Sequence, residues 1–199
     1  MGHREDLLAG AKHCLLDKGW VRTTARDIVA ASGANLASIG YHYGSKDALM
    51  MEAFMALTEE WGEGVGRSLT GIATDASVPR EERVALVFER IKESFAQDGA
   101  FWAAQLEVVG QLAKHPELKE RFAGVMPEGR RGMVAIFEGV DDRDVPDEVA
   151  RTAGALYHSV FIGMWVQWTI DPAAVGSGAD LVEGMRRILE GTVLGAAGE

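Results

Sequence analysis

Residues 24–49 read TARDIVAASGANLASIGYHYGSKDAL, from Thr24 to Leu49. Thr24 and Asp27 have the Thr-x-x-Asp spacing of a capping box: the hydroxyl accepts the N–H three residues on, and the carboxylate reaches back, so a helix starts near Ala25. Ile28, Val29 and Ala31 give this helix a small apolar face. Ser32-Gly33-Ala34 ends it, because glycine enters the left-handed conformation at little cost. Asn35 then caps a second short helix in which Leu36 and Ile39 share one face, leaving Asn35, Ala37, Ser38, Tyr41 and His42 around the other sides. Gly44 stops it, and Ser45 caps a third helix opening with Lys46-Asp47-Ala48. Two short helices joined by a Gly-containing turn of about three residues predict a helix-turn-helix, whose second helix lies in a DNA major groove. The same geometry also suits a packed helical corner with no DNA role.

The run from Gly33 to Leu49 resembles the signature of the TetR (tetracycline-repressor-like) family of bacterial transcriptional regulators. Its turn Gly, small or polar cap, apolar residue, aromatic run, Ser-Lys, acid and Leu fall here on Gly33, Asn35, Ile39, Tyr41-His42-Tyr43, Ser45-Lys46, Asp47 and Leu49. There are two departures: Gly40 stands where the family often has Tyr or Asn, and Tyr43 where it usually has Phe. Gly40 weakens the end of the helix. The resemblance covers about the first 50 residues. It implies a three-helix DNA-binding domain over residues 1–47 and a larger helical ligand-binding and dimerisation domain over 48–199, about nine helices in all. On this reading Thr24, Arg26, Tyr41, His42, Tyr43 and Lys46 suit phosphate contact, while Asn35, Ala37 and Ser38 face base edges or a thymine methyl.

The net charge of −10 opposes DNA binding until it is divided along the chain. Residues 1–50 hold six basic and five acidic side chains; the remainder hold 14 basic and 25 acidic. The acidity is thus kept away from the reading head, and with few cations present, phosphate contacts must also use hydroxyls and helix N-termini. The single Cys14 excludes an internal disulfide and lies on the apolar stripe of a first helix over residues 4–18 with Leu7, Leu8, Ala11 and Leu15, where it reads as a small core hydrophobe. No charged segment followed by an apolar one opens the chain and no run of about 18 apolar residues occurs, so a cytoplasmic location with no membrane span is expected.

No alternating strand pattern is present, so the class is all-α. The third helix runs from Ser45 to about Trp61, and Gly62-x-Gly64-x-Gly66 reads as its end. Ser68 to Pro79 reads as a loop. Further helices carry Val84, Val87, Phe88, Ile91 and Phe95; Phe101, Trp102, Gln105, Leu106 and Val109; and Leu118, Phe122, Met126, Met133 and Phe137, the last kinked or divided at Pro127 and Gly129. Asp141, Asp142, Asp144, Asp147 and Glu148 lack the spacing of a calcium loop and read as a solvated loop and cap. No metal site and no cofactor is expected.

The aromatic and Met side chains of the middle and C-terminal helices read as core one by one. The family resemblance implies a ligand cavity among them, lined by Trp61, Phe88, Phe95, Trp102, Met133 and Phe137, and by Tyr157, Phe161 and Trp165. Gln105, His158 and Gln167 are the polar groups that would orient a ligand, which should be a small apolar or aromatic effector. The helix from Val149 has an apolar stripe too wide for one packed side, and a last helix follows the Gly-rich turn at 176–178, extending to Val193. In the resembled family such helices pair with those of a second subunit. A homodimer is therefore implied, with Val149, Ala153, Leu156, Val160, Met164 and Trp168 on one helix and Leu181, Met185, Ile188 and Leu189 on the other.

The reading that results is a one-component regulator, a repressor released from a palindromic double-stranded operator when the effector binds. A helical ligand-binding or adaptor protein without specific DNA binding is the alternative. Against an enzyme stand the absence of an i, i+4 His pair, a G-x-S-x-G elbow or a P-loop, and a lone Cys with no evident base.

Overall fold

The computed structural model describes residues 2–73 and 77–191. Every regular element among them is helical: α1 (His3–Lys18), α2 (Ala25–Ser32), α3 (Leu36–Tyr43), α4 (Lys46–Ala73), α5 (Arg80–Gln97), α6 (Gly99–Gln111) and α7 (Pro116–Glu138). A 3₁₀ turn at Asp142–Asp144 leads to α8 (Asp147–Val149), which passes through a π-helical segment, Ala150–Gly154, into α9 (Ala155–Ile170). A second 3₁₀ turn, Pro172–Ala174, precedes α10 (Gly178–Glu190). Two compact units result: Met1–Gly64 with Asp98–Ala123, and Val65–Gln97 with Gly124–Glu199. α4 and α7 run through both.

The first unit is built on α1, whose stripe of Leu7, Ala11, Cys14 and Leu15 is buried with Trp20, Ile28 and Ile39. Each buried Leu and Ile among them contributes about 1.5–3 kcal/mol on burial. α1 and α2 approach closely at Gly10, where an added Cβ would stand 2.9 Å from the Cβ of Ser32. The capping box forms, with Thr24 Oγ1 accepting from Asp27 N–H at 3.2 Å and Asp27 Oδ2 accepting from Thr24 N–H at 2.8 Å. Lys18 Nζ donates to the other carboxylate oxygen at 2.6 Å, and this contact first, with the Thr24 bonds next, holds the Asp27 carboxyl well below its usual range. Gly33 ends α2 at φ +70°, and Asn35 Oδ1 caps α3 by accepting Ser38 N–H at 3.0 Å.

In the second unit the α5 stripe Val84, Val87, Phe88, Ile91 and Phe95 is buried. Phe88 packs on Phe137 (centroids 4.7 Å), and Phe137 stacks on Tyr157 at 4.2 Å. Phe95 lies against Phe161 and Trp168. Two glycines set helix approaches that any larger residue would obstruct. A Cβ at Gly178 would stand 2.0 Å from the carbonyl oxygen of Ala85, and one at Gly154 would stand 2.5 Å from that of Arg130. Gly178 N–H also donates to Glu89 Oε1 at 2.5 Å, fixing the start of α10 on α5.

Three local expectations are corrected. The glycines at 62, 64 and 66 do not end a helix; α4 continues through them to Ala73 because Leu57, Val65 and Leu69, spaced for one face, are all buried. The loop expected over Ser68 to Pro79 is accordingly shorter, its first part being helical, while residues 74–76 lie outside the described residues. α7 is not divided at Pro127, which sits inside one continuous helix.

Candidate nucleic-acid interface

The geometry of α2, the turn and α3 is a helix-turn-helix, with both N-caps made by the residues whose sequence spacing predicts them. Ile39 anchors α3 in the head. Two neighbours are placed differently from expectation: Ser38 faces inward at 8% exposure, and Leu36, expected with Ile39 on the inner face, is 54% exposed. The outward stripe therefore consists of Leu36, Ala37, Gly40 and Tyr41, with Asn35 at its N-terminal end and Tyr41 86% exposed. His42 is partly covered and its ring lies edge-on to Tyr41 at 4.8 Å.

Around this stripe the other expected contact residues have intramolecular duties as well. Tyr43 donates its hydroxyl to the Arg4 carbonyl at 2.6 Å, and the Arg4 guanidinium lies 5.4 Å from the Tyr43 ring centroid. Burial pushes the Tyr43 phenol up, against the opposing pull of Arg4. Lys46 Nζ donates to the Thr23 carbonyl at 3.2 Å and lies 3.3 Å from Asp47. Thr24 and Arg26 are exposed at the start of α2.

One contact that sequence spacing could not reveal joins the head to α6. The Glu107 carboxylate accepts the backbone N–H of Trp20 at 2.9 Å through Oε2 and that of Val21 at 2.8 Å through Oε1. Gly19, at φ +81°, makes room for it: a Cβ there would stand 2.1 Å from Oε2. The partners are 86 and 87 residues apart, so no local pattern announces them. Cys14 is buried beside this region, and burial, with Asp27 next, raises its thiol, which keeps it protonated.

The residues expected to line a ligand cavity fall into two sets, one in each unit. In the first, Trp61 stacks on Phe101 and meets Trp102 edge-on, and Gln105 Nε2 donates to Thr58 Oγ1 at 3.1 Å. In the second, Phe88, Phe95, Met133, Phe137, Phe161 and Trp165 are buried. His158 stacks near Phe161, and burial, then Arg130, lowers its pKa and favours the neutral imidazole. Tyr157 donates to Glu138 Oε1 at 3.0 Å, and Arg80 grips the same carboxylate through Nη2 at 2.6 Å. Burial first, and Glu138 next, push the Tyr157 phenol up to about 12.

Tyr157 also opens onto a groove of about 370 Å³ between α5, α9 and α10, with Val84, Ala153, Leu156, Val182, Met185 and Leu189 along it and Arg80, Glu81, Arg186 and Glu190 as its charged residues. Of the residues expected at a dimer surface, Val149, Leu156, Ile188 and Leu189 are exposed, and Ile162, Val166 and Ile170 add to the same apolar set. Ala153, Val160, Trp168, Leu181 and Met185 are partly covered. Met164 instead points into the protomer core. The acidic segment after α7 serves locally, as Asp141 caps the 3₁₀ turn and pairs with Arg143.

Comparison with known proteins agrees with this geometry. Residues 7–53 match the model of the family described as bacterial regulatory proteins, tetR family. The chain is 25% identical over 195 residues to the HTH-type transcriptional repressor AcnR of Corynebacterium glutamicum, a match covering 96% of this chain and 92% of that protein. In fold it is similar to a Pseudomonas aeruginosa PAO1 protein assigned as a transcriptional regulator, with TM-score 0.62, 23% identity, and 97% and 91% of the two chains covered. It is also similar to NalD, the secondary repressor of the MexAB-OprM multidrug efflux pump in Pseudomonas aeruginosa, with TM-score 0.55, 20% identity, and 93% and 96% covered. No helix among the described residues is long and apolar enough to cross a membrane. The similarity to the tetR family of bacterial regulatory proteins thus falls on the helix-turn-helix head, and the likeness to solved regulators extends over the helical fold of nearly the whole chain.

Proposed function

We propose that this protein is a homodimeric repressor of a palindromic operator, released by a small apolar or aromatic effector. The observation that carries the proposal is the outward stripe of α3, exposed in a head whose capped helices hold it rigidly. α3 enters the major groove, with Asn35, Ala37 and Tyr41 nearest the base edges. Thr24, Arg26, His42, Tyr43 and Lys46 lie toward the phosphates. Ser38, being inside the head, supports α3 and does not read bases.

A second copy covers the exposed apolar residues Leu156, Ile170, Ile188 and Leu189 of α9 and α10, which supports reading half-sites about 34–36 Å apart. The effector occupies the groove beside Tyr157, whose volume of about 370 Å³ lies in the range of small-molecule sites and whose rim residues Leu156 and Leu189 border the face that the second copy covers. A hundredfold loss of operator occupancy requires only about 2.7 kcal/mol of preference for the released state. The adaptor reading is disfavoured because a scaffold has no use for Tyr41 in solvent on a short capped helix.

The test is binding of the purified protein to the DNA flanking its own coding region, at two salt concentrations and with excess competitor. Competitor-resistant binding to a near-palindrome, abolished by a compound from an apolar ligand set, is expected. Binding wholly lost to competitor on every flanking segment would overturn the reading.

A further inference from the structure

α3 contains no Lys, Arg, Asn, Gln, Asp or Glu. Guanine is ordinarily read through its O6 and N7 by Arg or Lys, adenine by the two ends of an Asn or Gln amide, and thymine by apolar contact with its C5 methyl group. The one amide adjoining the helix is that of Asn35, whose oxygen already accepts the N–H of Ser38 at 3.0 Å. Ser38 is inside, and the Tyr43 hydroxyl is donated to Arg4.

Apart from the Tyr41 hydroxyl and the partly covered His42 ring, what α3 turns outward is hydrocarbon. Leu36 and Ala37 precede Gly40 and Tyr41 by one helical turn, so the four form one stripe. A lone exposed leucine ordinarily needs no explanation. Leu36 differs because Ile39 already supplies the buried anchor of this short helix, and because Leu36 lies on the one face that enters DNA. Beside it Gly40 has no side chain and nothing within 4 Å of where a Cβ would be, so the helix surface is flat there and a base-pair edge can come close.

We infer that Leu36, with Ala37 and Gly40, forms an apolar seat for thymine 5-methyl groups and is the specificity-determining residue of the head, selecting half-sites with thymine at the contacted positions. This rests on the proposal that α3 reads an operator.

The test uses the whole protein. Bound sequences are first selected from random duplexes; then each thymine of the selected half-site is replaced in turn by deoxyuridine, which lacks only the methyl group. Wild-type protein should lose about fourfold in affinity for each methyl removed from a contacted position, the factor expected for one buried apolar carbon. In Leu36→Ala the ratio between thymine and deoxyuridine duplexes should fall toward one, with unfolding followed by circular dichroism to show that the head is intact. Equal binding of thymine and deoxyuridine duplexes by wild type at every position overturns the inference while leaving DNA recognition standing. An undiminished ratio in Leu36→Ala overturns the assignment to Leu36. Selection that recovers no sequence refutes the operator reading itself and this inference with it.

Discussion

Replacing Gly62, Gly64 and Gly66 together by alanine is expected to stabilise the protein. All three lie inside α4, each in the helix interior where glycine is less favourable than alanine by about 0.5–1 kcal/mol. None has a described atom within 4 Å of the position a Cβ would take, and none has a positive φ, so nothing steric offsets the gain. The sum is about 1.5–3 kcal/mol, which for a chain of this size is a rise of roughly 3–12 °C in melting temperature. Differential scanning calorimetry of the triple variant and of each single variant measures it. A melting temperature unchanged or lowered in the triple variant would refute the reasoning, since the glycines would then be serving a backbone conformation or a contact that alanine cannot share. The position adds interest, because the two compact units divide at Gly64 and Val65. A helix weakened there bends more readily than one built of alanine. If that compliance serves release, the stiffened variant should bind the operator and need more effector to leave it.

Glu107→Ala leaves two backbone N–H groups of the α1–α2 loop without their charged acceptor and should lower stability by about 2 kcal/mol, with Glu107→Gln recovering roughly half; urea midpoints and exchange of the Trp20 and Val21 amides by NMR follow it. In alkaline titration followed by phenolate absorbance, one of the three tyrosines should ionise late, near pH 12, and be missing in Tyr157→Phe. Because the folded pKa of Tyr157 is raised, its contribution to stability is complete below pH 10 and lost as the pH rises through 12, so Tyr157→Phe should flatten the alkaline fall in stability between those values. Gly178→Ala should cost about 1–3 kcal/mol by forcing α10 off the Ala85 carbonyl, seen as a lower urea midpoint.

The head was legible because its devices are local. Thr24 with Asp27, Gly33, Asn35 and Gly44 each act within three or four residues, so spacing alone reveals them. Leu36 and Ser38 exchanged places for a reason spacing cannot express: at about 100° per residue Leu36 lies nearer to Ile39 around the helix than Ser38 does, so it is the packing of α3 on both α1 and α2, not the apolar spacing, that turns Ser38 in and Leu36 out. Gly62, Gly64 and Gly66 misled because glycine is a stop signal only when packing does not continue, and Val65 and Leu69 carry the packing on. Pro127 likewise does not divide α7. The Glu107 contact and the groove beside Tyr157 depend on helices distant in sequence, which no window of residues brings together.

The Glu107 contact bears on protein engineering. Grafting the helix-turn-helix head of one protein onto the helical body of another treats the head as a cassette. Here a cut after residue 47 would separate the α1–α2 loop from the carboxylate that holds it. A transplant of this head should therefore carry α6 with it, or be placed only on a body that offers an acid at the equivalent position. Conversely, a foreign head received by this body needs a glycine where Gly19 stands, since its φ of +81° strains any other residue and a Cβ there would displace the Glu107 carboxylate from the loop. Positions 19 and 107 therefore have to be exchanged as a pair.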